Sequence, residues 1–117
     1  MILDLDRVRV FVRPGKTDLR KAANGLSIIA ESVMGHEPLS GNLFLFCNAE
    51  RRLLKALYWD RNGFCLWQKR LERDKFPWPN SVSAAREITK EQLRMLLDGI
   101  DFWNAHQTLS YVSASGL

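Results

Sequence analysis

Three residues in the stretch VRPGKTDLRKAANGL, Gly15-Lys16-Thr17, carry the chemistry of a phosphate-binding loop. In such a loop backbone amides wrap the phosphates, a lysine reaches them and a hydroxyl holds magnesium. The spacing argues against it. With Gly15 as the second glycine, the first falls at Val10, inside an apolar run, so the turn is too short to cradle a phosphate. No apolar run ending in aspartate is followed by a helix, as a magnesium-binding strand would be, and 117 residues hardly accommodate the parallel sheet of nucleotide-hydrolysing folds. The trio reads instead as a Pro-Gly turn feeding a helix, with Thr17 or Asp18 as its N-cap.

Other catalytic chemistry finds no constellation. Metal-dependent strand transfer needs converging carboxylates, whereas the acids here have separate local roles: Asp18 as a cap, Asp60 in a turn, Glu91 in a first helical turn and Asp98 at a helix end. His36 and His106 fall in a loop and in the tail, and nothing sets either beside a serine or a thiol. Cys47 and Cys65 lie inside strand-like runs without CxxC pairing, which suits two reduced buried thiols better than a metal site. No catalytic residue, metal site or cofactor is expected.

Charge and aromatic residues are more informative. Between Arg51 and Lys75 stand eight basic residues against Asp60, Glu72 and Asp74, and a second basic group (Arg7, Arg9, Arg13, Lys16, Arg20 and Lys21) surrounds the opening stretch. Such a surface favours a polyanionic partner. The candidate phosphate contacts are Arg20, Lys21, Arg51, Arg52, Lys55, Lys69 and Arg70. Trp59, Trp67 and Trp78 accompany the basic cluster that begins at Arg51. They suit either a small core or an aromatic patch facing a partner.

These residues need a scaffold. RVRVFV (7–12) alternates with the period of a half-buried strand. From Leu19 the apolar positions recur at three and four through Val33, predicting an amphipathic helix stopped at Gly35 and weakened early by Asn24-Gly25. LFLFC (43–47), LLKALYW (53–59) and FCLWQKRL (64–71) read as strands. The DRNG link pairs the last two as a hairpin, with Trp59 opposite Phe64, Leu57 opposite Leu66, Lys55 opposite Gln68, Ala56 facing Trp67 and Leu54 facing Lys69. Aromatic residues on both faces predict one face packed on helices and the other partly covered or binding something. FPWP (76–79) is an extended connector, NSVSAARE (80–87) a loop, and ITKEQLRMLLDGID a second helix with a Thr89/Gln92 capping box and a stripe at Leu93, Leu96, Leu97 and Ile100. Phe102 and Trp103 are expected to dock. The expectation is one α+β domain over residues 1–117, an antiparallel β-meander of about four strands packed against two helices, with a tail at 104–117.

The net charge of +4 and ordinary apolar fraction suit a globular chain. No apolar run has membrane-spanning length, and Asp4 and Asp6 spoil a secretory signal, so a cytoplasmic protein without membrane contact is expected.

Several linked motifs resemble a known family. They are Thr17-Asp18-Leu19-Arg20-Lys21 with Gly25-Leu26, then Ser40-Gly41-x-Leu43-Phe44-x-Phe46, then Lys55-x-Leu57-x-Trp59-Asp60-x-x-Gly63. Lys69-Arg70-Leu71-Glu72 follows, leading to Phe76-x-Trp78-Pro79, and Leu96-Leu97-x-Gly99-Ile100-Asp101 is last. In this order, over residues 7–103, the chain resembles the TnpB (Orf2-like) accessory proteins of the insertion-sequence-66 family of bacterial transposable elements. It departs at Cys47-Asn48-Ala49-Glu50, where the family pattern has a glycine- or arginine-containing turn. The resemblance implies participation in transposition beside a separate DDE-type transposase, and transfers no catalytic residue. With the basic surface it yields two expectations. One is a non-catalytic protein that binds DNA at the element ends; the other is an adaptor that stabilises the transposase through Trp59, Trp67 and Trp78. A homo-oligomer is compatible with either.

Overall fold

The computed structural model of the chain describes residues 3–80 and 86–103. In chain order its elements are β1 (Val10–Val12), α1 (Ala23–Ser32), β2 (Leu43–Cys47), β3 (Leu53–Asp60), β4 (Gly63–Arg70), β5 (Arg86–Ile88) and α2 (Lys90–Leu97). The strands form one sheet in the order β4-β3-β2-β1-β5. β2, β3 and β4 are the expected antiparallel meander, and the hairpin register is the one its loop dictates, from Leu53 opposite Arg70 to Trp59 opposite Phe64.

β1 departs from a pure meander. It runs parallel to β2, with Val10 beside Leu43 and Val12 beside Leu45, and α1 makes the crossover that parallel neighbours require. Its other side pairs antiparallel with β5, whose Arg86 and Glu87 lie in the segment expected to be a loop and whose Ile88 was expected to open the second helix; residues 81–85 of that loop fall outside the described residues. Being central, β1 is buried on both faces rather than half-buried, and only Val10–Val12 of the expected strand 7–12 pair.

Alternation sends the strands' side chains into two apolar layers. Phe11, Phe44, Phe46 and Leu57 meet Leu26, Ala30 and Met34 of α1 and the segment after it. On the opposite face Val10, Val12, Leu45, Leu54 and Ala56 meet Leu93 and Leu96 of α2, together with Phe76, Trp78 and Phe102. Both sheet faces are therefore covered, a correction to the expectation that one would stay partly open. The extended FPWP segment supplies the second cover: Phe76 and Trp78 are buried, and the latter's indole N–H donates to the Arg13 carbonyl at 2.9 Å. Ile100, assigned to the stripe of α2, lies beyond its end and is exposed.

The two helices begin differently. α2 has the expected capping box, the Thr89 hydroxyl accepting from the Gln92 amide and the Gln92 side chain from the Thr89 amide. α1 is not capped by Thr17 or Asp18: it starts at Ala23, and Ala22, its N-cap, offers no side-chain acceptor. The reason is local competition. The Thr17 hydroxyl is taken by the Arg13 guanidinium at 2.9 Å, and the Asp18 carboxylate accepts the Arg20 amide at 3.0 Å, closing a turn two residues on. Gly25 fits here because a Cβ would lie 3.1 Å from Cβ of Lys21, tighter than such contacts normally are.

Candidate nucleic-acid interface

Parallel β1 and β2 end on the same side of the sheet, and the segments leaving them face each other. Residues 13–22 run from β1 to α1, and residues 48–52 turn from β2 into β3. Backbone bonds fix the approach: the Thr17 amide donates to the Cys47 carbonyl at 2.8 Å and the Gly15 amide to the Pro79 carbonyl at 2.9 Å. Between them lies a groove of about 550 Å³, walled by Lys16–Arg20 on one side and Asn48, Ala49, Glu50 and Leu53 on the other. A smaller hollow of about 290 Å³ adjoins it and brings in Arg51. Crevices outside the carboxyl ends of parallel strands are where open sheets with such crossovers usually place ligands.

The walls are rigidly built. Asn48 closes its turn by accepting the Arg52 and Leu53 amides on its side-chain oxygen, both at 3.1 Å. The Phe76 amide donates to the Arg51 carbonyl at 2.7 Å. Arg51 itself takes left-handed backbone angles, with φ 61°. Across the groove, Arg13 Nη1 donates to the Lys16 carbonyl at 2.8 Å as well as to Thr17, so a half-buried guanidinium shapes the loop that carries Lys16, Arg20 and Lys21. Its Nε is buried with no hydrogen-bond partner among the described residues.

The candidate phosphate contacts separate by what they touch. Arg20 lines the groove and Arg51 the adjoining hollow, both exposed; Lys21, next to Arg20, is also exposed, and Arg52, next to Arg51, is half-buried with Nη1 3.4 Å from the Glu72 carbonyl. Arg70 is exposed on β4, opposite the groove residue Leu53. Arg20 makes an exposed two-pronged pair with Asp18, at 2.8 Å and 3.0 Å. The pairing raises the Arg20 guanidinium and, by that hydrogen bond first, holds the Asp18 carboxyl well below the usual carboxylate range. Lys55 and Lys69 point inward. Lys55 Nζ donates to the carbonyls of Leu19 and Lys21, while Lys69, on the other sheet face, donates to the carbonyl of Leu97 at 2.7 Å, where a cation complements the end of α2. Lys16 belongs to the groove but was absent from the candidate contacts, although the sequence set it in the basic group around the opening stretch.

The remaining chemistry-bearing residues stay apart. Cys47 is fully buried, and that burial pushes its thiol up to about 12. Cys65 is half-buried and also free. His36 stacks on Phe11 with ring centroids 3.8 Å apart, and His106 lies outside the described residues. Among the described residues no three His, Cys, Asp or Glu side chains gather to hold a metal ion, and no helix is long and apolar enough to cross a membrane.

Comparison with known proteins decides the family, because the model for IS66 Orf2-like proteins matches residues 8–107. The chain belongs to the IS66 Orf2-like family. It is similar to two uncharacterized proteins of Sinorhizobium fredii (strain NBRC 101917 / NGR234). Identity to y4hO is 40% over 101 residues, 86% of this chain and 88% of that one. Identity to y4jC is 30% over 95 residues, 81% of each. No solved structure matches.

The tryptophans of this IS66 Orf2-like chain do not share one surface. Trp59, half-buried on the α1 face, packs edge-on against Phe64 at 5.0 Å. Trp67 and Trp78 pack into the layer on the α2 side.

Proposed function

We propose that the chain is a non-catalytic accessory protein for transposition of an insertion sequence, binding DNA at the element ends beside a separate DDE transposase. Family membership supports the setting. DNA binding is supported by one observation above the others: two segments far apart in sequence bring Lys16 and Arg20 to one groove and Arg51 to the hollow that adjoins it, with exposed Lys21 and half-buried Arg52 next to them in sequence. Of these, Arg20 shares its charge with Asp18, whereas Lys21 and Arg51 stand exposed. Fixed basic side chains around a concave surface suit a phosphate backbone, to which they give affinity and register rather than sequence preference. Arg70 extends that surface along the sheet. Lys55 acts behind it, holding the chain that presents Arg20 and Lys21, while Lys69 holds the end of α2 on the other sheet face.

A titration of binding against salt tests this, using a duplex with the element's terminal repeat and a scrambled duplex of equal length. Binding with a steep salt slope and a preference for the repeat is expected. Weak, equal binding to both rejects it and leaves the adaptor reading, in which the half-buried Trp59–Phe64 pair meets the transposase. Complex formation with the transposase that survives salt and is lost in Trp59→Ala then supports the adaptor.

A further inference from the structure

The two edges of the sheet are unlike. β5 has three residues, and its charges are engaged: Glu87 pairs with Arg9 at 2.7 Å, and the Arg86 guanidinium lies 4.8 Å from the Trp103 ring centre. β4 has eight residues, contains no proline, and pairs with β3 in unbroken register from Leu53 opposite Arg70 to Asp60 opposite Gly63. Its outer side pairs with no strand among the described residues. Gly63 to Gln68 carry no charge, and Leu66, near the middle, is 38% exposed. A long, regular, uncharged edge is the kind that proteins normally guard with charge, proline or a bulge. The only charges, Lys69 and Arg70, stand at one end.

We propose that the β4 edge is the two-fold interface of a homodimer, two copies pairing β4 antiparallel with Leu66 opposite Leu66. An axis perpendicular to the sheet keeps each face on its own side, so residues of the same face must meet across it. In this register Phe64 meets Gln68 of the second copy and Gly63 meets Lys69 of the second copy. The basic ends are thus held at opposite extremities, each beside the row occupied by Asp60, the β3 neighbour of Gly63. Centring on Cys65 instead sets Arg61 against Lys69, and a parallel arrangement stacks Arg70 on itself; like charges directly opposite are destabilising. These clashes disfavour the Cys65-centred and parallel arrangements, and the exposed Leu66 at the middle of the edge points to a second copy centred there. The described C-terminal end, Trp103, lies beside Arg86 at the other edge of the sheet. This inference does not rest on the DNA reading.

The test is the mass of the full chain by sedimentation over a concentration series, with covalent trapping to fix the register. A reversible rise from the 13.5 kDa monomer to twice that mass is expected. Leu66→Lys, which sets two ammonium groups face to face, should weaken association at least about tenfold. On mild oxidation, Leu66→Cys in a Cys65→Ser background should form disulfide-linked dimers, while Gln68→Cys in that background should not, since only position 66 meets its own copy. Circular dichroism checks that each variant is folded. A wild-type chain that stays monomeric at every concentration overturns the proposal, leaving the edge to residues 104–117 or to another protein's strand. Equal trapping at 66 and 68 overturns the register and the interface with it.

Discussion

The ammonium of Lys55, on β3, donates to the main-chain carbonyl of Leu19 at 2.7 Å and to that of Lys21 at 3.3 Å. One cation of the sheet thereby pins the loop that bears two others, Arg20 and Lys21. Lys55→Met keeps the aliphatic stem and removes these bonds. A loss of about 1.5–3 kcal/mol in urea-unfolding stability is expected, the range for hydrogen bonds to a charged group. DNA affinity should fall while its salt slope stays unchanged, because no phosphate contact is lost.

Lys21 and Arg51 behave in the opposite way. Both are exposed, so Lys21→Ala/Arg51→Ala should leave stability within about 0.5 kcal/mol per site. The slope of log affinity against log salt should become shallower by about two. An unchanged slope excludes these two as phosphate contacts.

Asp18 restrains Arg20. Its carboxylate holds the guanidinium through an exposed pair and lies below the usual carboxylate range for that reason. A depressed carboxylate contributes above its ordinary range and loses that contribution as pH falls through the depressed value. Asp18→Asn removes the partner at every pH and should tighten DNA binding, with a salt slope steeper by up to about one. Weaker binding in this variant would mean that the pair positions Arg20 for its contact.

The two thiols should react unequally. Cys65 is half-buried, whereas Cys47 is sealed in the core with its thiol raised to about 12. A thiol-specific reagent at pH 8 should label Cys65 in the native protein and reach Cys47 only after unfolding. The sign of the linkage follows: above the ordinary thiol range the unfolded chain gives up this proton and the folded chain keeps it, so stability declines as pH rises there.

The helix starts offer a control. Thr89→Ala removes one half of a complete capping box and should cost about 1 kcal/mol in thermal or urea unfolding. Asn24→Ala, in the first turn of α1, removes no cap.

How much of this was legible in the sequence differs from element to element. The β3–β4 hairpin was readable residue by residue, since a short loop fixes both partner and register and alternation does the rest. The box on α2 was equally local. The direction of β1 was not, because alternation at Val8, Val10 and Val12 is the same whether the neighbour runs parallel or antiparallel. β5 escaped notice because three residues are too few to show a period. The start of α1 misled for a different reason: Thr17 and Asp18 are good caps in isolation, and only the fold shows their oxygens already taken by Arg13 and Arg20. The same limit applied to the groove. Counting charges located the two basic groups, but only the parallel β1–β2 pair brings them together, and only geometry shows Lys55 and Lys69 turned inward.

The position of β1 also has a kinetic consequence. Three residues from near the start of the chain sit between β2 and β5, and Val12 is paired with Arg86. The β3–β4 hairpin closes across the shortest of loops, and β2 joins it across another short turn, so this meander assembles at little entropic expense. β1 must then find β2 through the whole α1 crossover, and β5 must find β1 from the far end of the chain. Closing such loops is slow relative to forming a hairpin. Because the groove is made by the segments leaving β1 and β2, it takes shape only at that late step. In native-state hydrogen exchange, the amides of Val10–Val12 should therefore open no later than those of Leu54–Leu57, which pair with β2 and β4 on the two sides of β3, and loosening them would dismantle the groove while the meander stands.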